Sequence, residues 1–88
     1  MRFEEFGVVT FESTHHAING EKIFKEHDIL FKTIPTPREI SLSCGLSIRF
    51  DLEYLDRVVE FYSNNTLAIN GVYSFTIIDE VRKIKKLV

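Results

Sequence analysis

No two cysteines can pair in this chain, because it has only one, Cys44, among its 88 residues. A disulfide framework is excluded, and the expected setting is a reducing, cytoplasmic one. No apolar run approaches the ~20 residues that a membrane-spanning helix needs. The N-terminal MRFEEFGVV places acids where a secretion signal needs an uninterrupted apolar stretch. Tryptophan is absent and phenylalanine occurs eight times, which favours a compact aromatic core over an aromatic binding platform. The net charge is −2, which argues against a dedicated nucleic-acid binder. An RNA-recognition module would also need stacking aromatics on its first and third strands, and the third strand offers Ser47 and Arg49. No paired-carboxylate spacing, phosphate loop, nucleotide fingerprint or serine-hydrolase elbow occurs, so no cofactor is expected. No metal is expected either: one cysteine and the adjacent His15 and His16 lack ligand spacing, since neighbours on a helix point apart.

The elements follow from spacing and punctuation. Phe6 to Phe11 reads as a β-branched and aromatic strand with both faces covered, as a central strand has. Ser13 or Thr14 can cap a helix running from near residue 14 to near 27. Its apolar stripe is Ala17, Gly20 and Phe24, widened by Ile18 and Ile23. Gly20 weakens such a helix by roughly 1 kcal/mol against alanine, and close packing on a sheet would explain it. His27 is a favourable partner for the helix dipole near its C-terminus. Ile29 to Ile34 is a second strand, ended by Pro35-Thr36-Pro37, and Leu46, Ile48 and Phe50 alternate through a third. Asp51 caps a second helix with the stripe Leu52, Leu55, Val58, Val59 and Tyr62, stopped at Ser63-Asn64-Asn65. Asn70-Gly71 reads as a turn before a fourth strand from Val72 to Ile78. Residues 79–88 read as a basic tail with a short helix, since Val81, Ile84 and Val88 would share a helical face.

This order, β-α-β-β-α-β, predicts an α+β fold over residues 1–78: a ferredoxin-like sandwich with a four-stranded antiparallel sheet and both helices on one face. Strands one and two would run parallel with strand three between them. The long connection after strand two would then meet the start of the first helix, bringing Arg38 and Cys44 toward Ser13, Thr14, His15 and His16. A connection of this length in a compact domain is often functional.

The run Thr36 to Arg49 concentrates the reactive and basic residues, with Cys44 between Ser43 and Gly45, and Arg38 and Arg49 on either side. A thiolate there could be stabilised by the unpaired amides of the first helical turn, by Arg38, and by backbone amides around Ser43-Cys44-Gly45. The helix-terminus term is worth ~0.3–1 kcal/mol per charge, and a pKa unit needs about 1.4 kcal/mol. A shift of one or two units is within reach. Read without this context, Cys44 is a small buried hydrophobe, and Arg49 is a surface charge.

The junction VVTFESTHHAINGEK followed by TIPTPREISLSCGLSIRF resembles the selenium/sulfur carrier-like family of small bacterial proteins, over about residues 6 to 78. The resemblance implies that Cys44 carries sulfur or selenium as a persulfide or selenopersulfide, with Arg38 and Ser43 as matching neighbours. It implies a donor protein and an acceptor protein as partners, and an accessory carrier more than a turnover enzyme. The competing expectation is a non-catalytic interaction module. Such a module would dimerise or dock through apolar residues on the open sheet face, among Val9, Phe11, Tyr73, Phe75 and Ile77. Neither reading involves nucleic acid or a membrane.

Overall fold

A computed structural model describes residues 3–40, 45–64 and 67–88 of the chain. It is an α+β protein with one antiparallel sheet of five strands in the order β2-β3-β1-β4-β5. The strands are β1 (Phe3–Phe11), β2 (Phe31–Pro35), β3 (Leu46–Phe50), β4 (Ile69–Ile78) and β5 (Val81–Lys86). Two helices, α1 (Thr14–Glu26) and α2 (Leu55–Ser63), complete the fold, and a short 3-10 turn at Leu52–Tyr54 leads into α2.

Six consecutive residues of β1, Phe6 to Phe11, are buried, as a strand covered on both faces requires. Its position in the middle of the sheet is consistent with that pattern. On one face Val9 and Phe11 of β1, Ile48 and Phe50 of β3 and Val72 of β4 pack with Ala17 and Phe24 of α1 and with Val58 and Phe61 of α2. Both helices therefore share one core with one side of the sheet. Phe24 lies at its centre, its ring 5.8 Å from Phe31, 5.9 Å from Phe61 and 6.3 Å from Phe50.

Ser13 caps α1, its hydroxyl accepting the His16 amide, and His27 closes the helix. Gly20 is where Phe11 crosses α1: a Cβ there would stand 2.6 Å from the Phe11 ring. Alanine would gain roughly 1 kcal/mol of helix propensity, but overpacking a fixed core ring costs about 1–3 kcal/mol. Phe11 is 1% exposed and cannot swing into solvent. Gly20→Ala is therefore expected to lower the urea midpoint of unfolding; a rise would show that Phe11 gives way.

Several expectations are corrected. The sheet has five strands, not four, because residues 81–86 form β5 against β4 and not a helical tail. Asp79 and Glu80 both take positive φ, 47° and 73°, and make the tight turn between those two strands. Asn70-Gly71 is no turn but lies within β4, with Gly71 opposite Thr10 of β1. In α1 Ile18 is 55% exposed and leaves the apolar stripe. In α2 the buried stripe is Val58 and Phe61, while Tyr62 faces out at 40% exposure. Asp51 does cap, but it caps the 3-10 turn through the Glu53 amide.

Candidate functional site

The connection between β2 and β3 spans residues 36–45. Its base is closed by the Thr36 amide donating to the Gly45 carbonyl at 3.3 Å and by the Thr36 and Ser47 hydroxyls at 2.6 Å. Ser47 is fully buried, with Thr36 as its hydroxyl partner. The second half of the base meets α1. A Cβ added to Gly45 would fall 2.9 Å from Thr14 Oγ1, so glycine permits the chain to pass against the first helical turn. Topology thus joins Gly45 and Thr14, thirty-one positions apart.

That first turn carries no acid. Ser13 Oγ lies 2.9 Å from His16 Nδ1 in addition to accepting the His16 amide, and the His15 and His16 rings meet edge-on with centroids 6.3 Å apart. His15 is exposed and His16 half-buried. Thr14, His15 and His16 open a thirteen-residue helix, whose terminal amides favour a negative charge placed beside them. Among the described residues no three His, Cys, Asp or Glu side chains converge as a metal site would require.

The first part of the connection goes elsewhere. Pro37 accepts the Ile40 amide at 3.0 Å, forming a turn around Arg38 and Glu39. Ile40 then packs on the sheet face opposite the helices, against the cluster Phe6, Val8 and Phe75 with Tyr73, Ile77 and Ile84. Glu39 forms an ion pair at 2.7 Å with Arg82 of β5. Glu39 and Ile40 therefore lie over the outer face of the sheet. That face is not the open apolar surface expected from the sequence: Val9 and Phe11 point to the helices, and Phe6, Val8 and Phe75 are buried beneath covering side chains.

Arg38 is exposed and joins none of Ser13 to His16 through a described contact. Arg49 is engaged away from α1. Its guanidinium stacks 3.8 Å from the Phe6 ring centre and pairs with Glu4 at 3.2 Å, while Phe6 stacks on Phe75. Ser43 and Cys44 lie outside the described residues. Of the residues read as a site, the structure brings together Ser13, Thr14, His15, His16 and Gly45.

Glu39, Ile40 and Arg82 were not legible as partners, since 43 positions separate the ion pair and no local pattern signals it. Arg82 holds the Glu39 carboxyl below its ordinary value of 4.5, chiefly by direct hydrogen bonding. A lowered folded-state value means that the pair stabilises the fold above that ordinary value, and that its contribution is lost as pH falls through the lower one. In a carboxyl-resolved NMR titration, Glu39 is expected to titrate lower in the wild type than in Arg82→Ala. Equal midpoints would show the pair to be absent in solution.

A family model described as "Putative Se/S carrier protein-like" matches residues 6–74. The match takes in β1 from Phe6, α1, β2, the connection, β3, α2 and β4 as far as Ser74. No curated protein and no solved structure matches the chain significantly. No helix among the described residues is long and apolar enough to cross a membrane.

Proposed function

The chain belongs to the Se/S carrier protein-like family, and from that membership we propose that it is a carrier whose Cys44 thiol holds one sulfur or selenium atom between a donor and an acceptor protein. The observation that carries the reading is the approach of Gly45, the chain neighbour of Cys44, to Thr14 in the acid-free first turn of α1. A thiolate in that neighbourhood gains from the helix amides. Arg38 and Ser43 are the supporting residues that the family pattern suggests, and His15 and His16 are the titratable groups of the same turn.

The transfer balances without an oxidant. The Cys44 thiolate attacks the terminal sulfur of a donor persulfide, R–S–S–H. The new S–S bond forms as the donor S–S bond breaks, the donor leaves as a thiolate that takes up a proton from water, and Cys44 becomes Cys–S–S–H. An acceptor thiolate repeats the attack and restores Cys44. A selenium atom in the terminal position travels the same way. We read β2-β3-β1-β4 with α1 and α2 as a ferredoxin-like scaffold to which β5 is added.

The test is to incubate the reduced protein with a persulfide donor and weigh it intact. A gain of one sulfur, removable by a small thiol, is expected. A protein that stays unmodified while an established persulfide-accepting protein is loaded overturns the reading.

A further inference from the structure

β5 is the last strand of the sheet, and among the described residues nothing pairs with its outer edge. It carries Arg82, Lys83, Lys85 and Lys86 and no acid. Strand alternation divides these cations between the two sides of the sheet. Arg82 and Lys86 stand with Ile84 on the outer side, and Lys83 and Lys85 on the helix side. An edge of unpaired amides and carbonyls is a template for another strand. Four like charges repel a second copy of the same edge and select an added strand of opposite sign.

One carboxylate is already bound there. Glu39 from the β2–β3 connection sits on Arg82 at 2.7 Å, with both side chains partly open to solvent. The strand is therefore an acceptor of carboxylates as it stands. The chain as a whole has charge −2, so the rest without the four cations of β5 has −6. A long polyanion would meet that repulsion, whereas a short segment confined to the edge lies largely within one screening length, about 8–10 Å, of the cations.

We propose that the β5 edge is a docking site for an extended acidic segment of a partner protein, which adds as a sixth strand and shares Arg82 with, or takes it from, Glu39. The proposal rests on the carrier reading only in naming that partner as the protein that gives or takes the chalcogen. It brings the partner to the strand that also anchors the connection at Glu39.

The probe is a synthetic peptide of alternating glutamate and valine, capped at both ends, with a glutamine-for-glutamate peptide as control. Each is titrated into the isotope-labelled, reduced full-length protein and, in parallel, into Cys44→Ser, and backbone amide shifts are followed. The acidic peptide is expected to perturb Val81 to Lys86 together with Glu39 and Ile40, equally in both proteins. Binding should weaken about tenfold in K85E/K86E and again about tenfold between low and high salt. Because docking is read without loading the thiol, failure of the carrier chemistry leaves this result standing, and failure here leaves the carrier chemistry standing. The proposal is overturned by equal binding of the glutamine peptide, by no perturbation at millimolar peptide, or by perturbation confined to other surfaces. It is also overturned by a short oligonucleotide acting on the same amides at lower concentration, or by self-association through β5 in the absence of peptide.

Discussion

Cys44→Ser is expected to gain no sulfur under conditions that load the wild type, and to unfold at the wild-type temperature. The chain has no second cysteine to take over. A serine hydroxyl is nearly isosteric, but it is not ionised near neutral pH without an adjacent base and forms no stable persulfide. Loss of loading should therefore be complete and not partial. The thermal measurement separates this reading from the plainer one. If Cys44 were a core residue, the polar hydroxyl would lower the melting temperature by several degrees, since roughly 1 kcal/mol shifts a domain of this size by about 4–8 °C. A loss of loading with unchanged melting assigns the thiol to chemistry. The pH dependence of alkylation adds a second check: an activated thiolate titrates below the ordinary cysteine value of about 8.5. In cells, retention of full function by Cys44→Ser would favour the interaction module over the carrier.

Phe24→Ala is expected to lower the melting temperature by roughly 15–30 °C, the largest stability loss of any single truncation considered. Phe24 is fully buried and meets three other rings, Phe31, Phe50 and Phe61. Removing a buried phenylalanine costs about 3–5 kcal/mol through lost transfer energy and the cavity left behind. Lost edge-to-face pairs, each worth ~0.5–1.5 kcal/mol, place this site toward the upper end. A domain of this length has a total stability near 0.1 kcal/mol per residue, about 9 kcal/mol, so a third to a half of it would go. Ile18→Ala is the control on the same helix. Ile18 belongs to the stripe by spacing but is 55% exposed, and its truncation should stay within about 0.5 kcal/mol of the wild type. Calorimetry that found similar losses at both positions would refute the arrangement of α1 on the sheet.

The contrast between Phe24 and Ile18 shows where local pattern stops. Periodicity determines that a face is apolar, but its width is set by what packs against it, and here Ala17, Gly20 and Phe24 are buried while Ile18 is exposed. The same holds for α2, where Phe61, three residues after buried Val58, turns inward and Tyr62, four after it, faces out. Signals that act over three or four residues carried further: Ser13, one of the two cap candidates, caps α1, and Asp51 caps, though it caps the 3-10 turn ahead of α2. Gly20 was also readable as a close approach, though its partner Phe11 was not.

By itself the sequence determined the class of the fold, the two helices, the central place of β1, and the uniqueness of the thiol, because each depends on composition or short-range spacing. The tertiary structure decided the rest. Residues 81–86 carry a spacing compatible with either a helix or a strand, and pairing along β4, with Ile84 set against Phe75, selects the strand. Asn70-Gly71 has turn chemistry, yet it lies within β4, where Gly71 pairs with Thr10 and the register against β1 shifts at Asn70. The placing of residues 39 and 40 on the outer face depends on Ile40 finding the Phe6–Phe75 cluster and Glu39 finding Arg82. Those contacts join positions far apart in the chain, and no local rule encodes them.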